Sequence, residues 1–80
     1  MSPRVEVFTR PGCHLCADAI GIVSSVCGEA GVEWVERDIN DDPDWLRRFT
    51  DQVPVTYVDG KPHDFWRVDA ARLRRALVSS

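Results

Sequence analysis

From Arg4 to Thr9 polar and apolar residues alternate, with Val5 and Val7 on one side, Arg4 and Glu6 on the other, and Phe8 extending the run. A period of two over so few residues predicts a short strand. Pro11-Gly12 ends it in a turn. Apolar residues then fall at 15/16, 19/20, 22/23 and 26/27, the spacing of a helix from Leu15 to Val26 with a broad buried face. Gly28 and Gly31 close this helix, Gly31 being the stronger stop because a new pattern begins at Val32. Val32 to Ile39 reads as a second strand, with Trp34 and Val35 on opposite faces. Asp42-Pro43 is a helix start, with the carboxylate as cap and the proline in the first turn, and Trp45, Leu46 and Phe49 carry a short helix from Pro43 to Phe49.

A third strand follows Val53-Pro54 and covers Val55 to Val58. Asp59-Gly60 is a hairpin signal, so Lys61 to Trp66 is read as the antiparallel return. Asp69 caps a last helix with Ala70, Leu73 and Leu77 on one face. The order βαβαββα gives an α/β fold, a four-stranded mixed sheet with helices on both faces. There are no repeats, linkers or biased segments, so residues 1–80 are expected to form one domain.

Composition narrows the function classes. The chain has 80 residues, 44% hydrophobic and 29% charged, which excludes a disordered or low-complexity protein. A net charge of −3 argues against nucleic acid as a partner. The longest wholly apolar run is three residues, so no membrane span is expected. Met1-Ser2-Pro3-Arg4 leads into the first strand without a signal-peptide core, and the cytoplasm is the expected location. Three cysteines are too few for a disulfide framework. In a reducing compartment Cys13-His14-Leu15-Cys16 is a reactive or metal-binding pair rather than a staple.

The placement of this pair, where the first strand ends and the first helix begins, carries the chemistry. Cys13 falls at or just before the first helical turn, where free N–H groups and the positive end of the macrodipole stabilise a thiolate. Cys16 lies one turn on, more enclosed, and can attack a mixed disulfide formed on Cys13. Arg10 adds positive charge nearby, and His14 favours the thiolate when protonated or donating a hydrogen bond. A zinc site normally needs four ligands. Cys27 is about 16 Å along the helix from Cys16 at ~1.5 Å per residue, too far to complete one within a single chain. No bound metal is expected.

The run Val7 to Cys16, Val53-Pro54 before a strand and the Asp59-Gly60 hairpin resemble the thioredoxin superfamily, and the size resembles a glutaredoxin. The likeness covers about Arg4 to Val78 and is closest to short bacterial glutaredoxin-like proteins. It implies a glutaredoxin-type fold and a dithiol oxidoreductase with Cys13 as nucleophile and Cys16 as resolving thiol. It further implies a cis Val53-Pro54 bond facing the cysteines, a Val53 backbone that pairs with substrate, and Arg10 as a contact to the glutathione carboxylate. The chain departs from the family in having Gln52 where a threonine is usual. It also has Asp64-Phe65-Trp66-Arg67-Val68-Asp69 where a Gly-Gly turn and an aspartate grip glutathione. Asp69 is the candidate replacement for that aspartate, and Phe65 and Trp66 reshape the groove.

The expected substrates are protein or small disulfides. Glutathione or a flavoprotein reductase is the expected electron donor, no cofactor is bound, and the protein works as a monomer. Two rival readings keep the fold, namely a non-catalytic peptide-binding adaptor and a redox sensor. An iron–sulfur cluster bridged with glutathione is a lesser one.

Plainer roles are assigned elsewhere. Cys27 is read as a core residue, His63 as a surface residue, Asp38 as a solvated loop acid, and Trp34 and Trp45 as packing residues. Trp66 either lines the groove or covers the last helix. The acids from Glu33 to Asp44 form a solvated edge, and Arg72, Arg74 and Arg75 complement a helix dipole.

Overall fold

The computed structural model describes residues 3–78, so the first two and last two residues of the expected 1–80 unit lie outside the description. The elements are β1 (Val5–Thr9), α1 (His14–Ala30), β2 (Trp34–Asp38), α2 (Pro43–Phe49), β3 (Val55–Val58), β4 (Lys61–Phe65) and α3 (Ala70–Val78). The strands form one sheet in the order β2-β1-β3-β4. β1 pairs in parallel with β2 and antiparallel with β3, and β3 pairs antiparallel with β4. The sheet is therefore mixed, as the order of elements predicts.

The central strand β1 is covered on both faces, and its alternation sorts the core into two halves. Val5 and Val7 are fully buried on one side against Ala19, Val23, Val26 and Cys27 of α1 and Leu73 and Leu77 of α3. Phe8 points the other way, into a cluster with Val55, Phe49 of α2, Ile39 and Cys16. This second half is aromatic. The Phe8 ring lies 5.2 Å from Trp45, 4.9 Å from Phe49 and 5.4 Å from Tyr57. Each such pair adds ~0.5–1.5 kcal/mol beyond the apolar area it buries.

The boundaries follow local chemistry. Gly31 ends α1 at φ 67°, and its N–H bonds back to the Cys27 and Gly28 carbonyls. Val32 N–H also bonds to the Cys27 carbonyl, at 2.9 Å. That return holds Val32 in the helix cap, so β2 starts at Trp34 rather than Val32. At its other end β2 stops before Ile39. Asp38 accepts the Asn40 amide at 2.8 Å and caps a 3-10 turn over Ile39–Asp41, which the strand reading does not contain. Asp38 is half-buried, with its carboxylate engaged as this cap. Asp42 caps α2 by accepting the Asp44 amide at 2.8 Å, with Pro43 in the first turn.

β4 ends at Phe65 because Trp66 turns to φ 64° and sends its amide to the Pro54 carbonyl at 2.8 Å. Two other expectations are corrected. The His63 side chain is only 11% exposed, and its Nε2 is buried without a hydrogen-bond partner among the described residues. The β3–β4 register shifts at Thr56/Tyr57, and Arg72 of α3 bonds the His63 carbonyl, so α3 covers this part of the strand. Arg72 and Arg74 also do more than face a helix dipole. Arg72 pairs with Asp64 at 2.6 Å and Arg74 with Glu29 at 3.1 Å, tying α3 to β4 and to α1.

Candidate active site

Cys13 is the N-cap of α1, with extended backbone (φ −100°, ψ 115°). Pro11 and Gly12 turn the chain out of β1, and Gly12 adopts φ 77°, a conformation open to glycine at little cost. The Cys13 sulfur accepts the Cys16 amide at 3.2 Å, so it fills the capping position that an aspartate or serine oxygen usually occupies. It thus receives one of the free N–H groups at the positive end of a 17-residue helix. The residue is half-buried and the thiol is free.

Cys16 lies one turn inside the helix and is 4% exposed, packed with Phe8, Ile39, Phe49 and Val53. Burial pushes its thiol up to about 11, helped by the hydrogen bond it shares with Cys13. A backbone hydrogen bond from Arg10 and the Arg10 charge act in the opposite direction. The two thiols are therefore unequal. One is a half-buried cap, and the other is buried with its proton held more tightly.

Val53 and Pro54, in the loop that leads into β3, close the site. Their peptide bond is cis, as the resemblance implies. Pro54 is fully buried, and Val53 packs in the same cluster as Cys16, with Cys13 against it. Val53 N–H donates to the Phe49 carbonyl at 3.1 Å. Arg10 and His14 are both exposed beside the dithiol. Asp69, the candidate glutathione contact, accepts the Arg72 amide at 3.0 Å and caps α3. Cys27 is fully buried in the aliphatic half, away from the other two cysteines. Among the described residues no group of three or more His, Cys, Asp or Glu side chains is placed to hold a metal ion.

Three features of the site escape a reading of the motif alone. Phe8 is the floor under Cys16, and its period-two position on β1 was the available signal. Thr9, the last strand residue before the turn, is buried and donates to Glu36 of β2 at 2.8 Å, anchoring the loop that carries Cys13. Trp66 is tied to the proline loop twice, through its amide to Pro54 and its indole N–H to the Asp51 carbonyl at 3.1 Å. It is nonetheless 55% exposed and lines a groove with Leu15. The same groove is lined by Ala70 and Arg74 of α3. Nothing in the sequence pattern links residues 51, 54 and 66.

The chain is similar to known proteins over nearly its whole length. A family profile described as a glutaredoxin-like domain (DUF836) matches residues 4–78. An uncharacterized protein of Mycobacterium tuberculosis (strain ATCC 25618 / H37Rv) is 31% identical over 83 residues, covering 98% of this chain and 86% of its own. The X-ray structure of Northeast Structural Genomics target protein XcR50 from X. campestris superposes with a TM-score of 0.75 at 28% identity, covering 95% of this chain and 97% of that one. The thioredoxin of Fasciola hepatica matches with a TM-score of 0.61 at 20% identity over 94% of this chain and 77% of its own, which bears on the fold alone.

Proposed function

The chain belongs to the glutaredoxin-like (DUF836) family and has a thioredoxin-like fold, and from that premise we propose that it is a thiol–disulfide oxidoreductase using Cys13 and Cys16. The observation that carries this reading is the inequality of the two thiols. Cys13 caps α1 with its sulfur facing the Cys16 amide, while Cys16 is buried with its thiol pushed up to about 11.

The Cys13 thiolate attacks one sulfur of a substrate disulfide. The S–S bond breaks, a mixed disulfide forms on Cys13, and the departing thiolate takes a proton from solvent. Once Cys13 is in that bond, its hydrogen bond and negative charge no longer hold the proton on Cys16. The Arg10 backbone bond and charge then favour the Cys16 thiolate. Cys16 attacks the Cys13 sulfur, releases the second substrate thiolate and leaves a Cys13–Cys16 disulfide. The substrate has gained two electrons and two protons, and the dithiol has lost them. Two molecules of glutathione, or a flavoprotein reductase, restore it. Pro54 and the Val53 carbonyl position the substrate chain, because the Val53 N–H is already engaged with Phe49. The protein works as a monomer in the reducing cytoplasm, and among the described residues no helix is long and apolar enough to cross a membrane.

The test is an intact-mass and thiol count after equilibration in a glutathione redox buffer, acid quench and alkylation. The expected product is a Cys13–Cys16 disulfide with Cys27 free, and Cys16→Ser is expected to accumulate mixed disulfides on Cys13. Alkylation of all three thiols in every buffer would sink the proposal.

A further inference from the structure

A cavity of about 660 Å3 runs between α1 and the segment from Trp66 into α3. Its lining along α1 extends from Leu15, one of the two residues between the active-site cysteines, to Val26. We propose that this groove is the docking track for an extended polypeptide segment flanking the substrate disulfide, kept open by Gly21. The inference rests on the disulfide-exchange reading and names its substrate class.

Length favours a polypeptide. Leu15 and Val26 are separated by eleven helical residues, a rise of about 16 Å. An extended tripeptide spans at most ~11 Å, so a ligand the size of glutathione fills only part of the track, whereas about five residues cover it. The groove also begins next to the dithiol in the chain, at Leu15, the residue before Cys16. Trp66 forms one wall, held by its two hydrogen bonds to the Pro54 loop, with more than half of its surface open. Leu15 is 38% exposed on the opposite wall, and Ile22 lies further along α1. A chain joined to Cys13 has this apolar surface beside it.

Arg67 adds polarity. Its guanidinium has no ion-pair partner among the described residues, whereas Arg74, also in the lining, is paired with Glu29. Asp18 is the acid on the α1 wall. The preferred segment therefore carries a large apolar side chain near its cysteine and a carboxylate on the Arg67 side.

Gly21 is the most specific observation. A glycine inside a helix costs about 0.5–1 kcal/mol relative to alanine. No neighbour at Gly21 requires one, because a Cβ built there meets nothing within 4 Å. Gly21 lies in the groove lining, so any larger side chain there would narrow the track. Gly28, on the same helix but outside the lining, is equally free of neighbours and provides a control.

The experiment compares wild type, Gly21→Leu and Gly28→Ala in reduction of insulin, a polypeptide disulfide, and of hydroxyethyl disulfide, with dithiothreitol as electron donor. Gly21→Leu is expected to lower kcat/KM for insulin about tenfold through KM, the scale of one lost apolar contact, while hydroxyethyl disulfide reduction stays unchanged. Gly28→Ala is expected to change neither. An unchanged insulin KM in a folded Gly21→Leu protein overturns the groove while leaving the redox proposal standing. Loss of hydroxyethyl disulfide reduction equal to the loss with insulin overturns it, because the substitution then acts on the dithiol and not on a polypeptide track. A wild-type dimer that Gly21→Leu dissociates overturns it in favour of self-association. If wild type reduces neither substrate, the redox proposal itself has failed.

Discussion

The two ends of α1 hold the same residue type in opposite circumstances. At the start, Cys13 and Cys16 sit on the aromatic half of the core, beside a cis proline and an exposed turn. Near the end, Cys27 is fully buried among valines and leucines. Burial raises the thiol pKa of both Cys16 and Cys27. What separates them is company. Cys16 has a second sulfur within hydrogen-bond reach and a route to solvent through it, and Cys27 has neither in its cluster. A reactive cysteine is made by its position relative to a helix end and a partner, and burial alone makes a packing residue.

Replacing each cysteine tests that contrast. Cys13→Ser is expected to cut disulfide exchange by about three orders of magnitude or more, the scale of removing a nucleophile. Stopped-flow reduction of a small disulfide reads it, and residual activity above that level would move the nucleophile elsewhere. Phe8→Ala, which removes the floor beneath Cys16, is expected to cost about 3–5 kcal/mol in urea denaturation. A cost below 1 kcal/mol would mean the aromatic half is not part of the cooperative core.

Cys27→Ser places a hydroxyl in an apolar cluster and is expected to destabilise by ~1–3 kcal/mol with exchange activity unchanged. Lost activity in a folded Cys27→Ser protein would erase the distinction between the two ends. Gly31→Ala forces a Cβ into the left-handed cap at φ 67° and is expected to cost about 1–2 kcal/mol, read as a lower midpoint of thermal unfolding.

A further effect appears in alkali. Cys16 keeps its proton to about 11 against a usual 9.0, and the Cys27 thiol is raised as well. Between those values the unfolded chain has released protons that the native chain retains, so stability is complete below pH 9 and declines as pH climbs toward 11. Urea midpoints should fall across this window, and they should fall less in Cys16→Ala. A flat profile would contradict the burial of Cys16.

Several boundaries were legible because they rest on contacts close in sequence. Asp42-Pro43 begins α2, and Asp59-Gly60 joins β3 to β4, each where its dipeptide predicts. Gly31 ends α1 for the same reason, since a left-handed cap is a local demand. The alternation of Val5, Val7 and Phe8 anticipates a strand, and the helix-start position of Cys13-x-x-Cys16 anticipates the cap. Errors concentrate where a partner distant in sequence intervenes. His63 reads as a surface residue until α3 and a register shift cover it. Arg72 and Arg74 read as dipole partners until Asp64 and Glu29 are brought to them.

Residue type, spacing and turn chemistry alone determined the order of elements and the position of the dithiol at a helix start. These are set by interactions within a few residues of chain. Tertiary structure alone decided how deeply Cys16 lies, that Trp66 is pinned to the proline loop, and that a groove runs from Leu15 to Val26. Each depends on surfaces from segments far apart in the chain, and periodicity records which face of an element is apolar, not what packs against it.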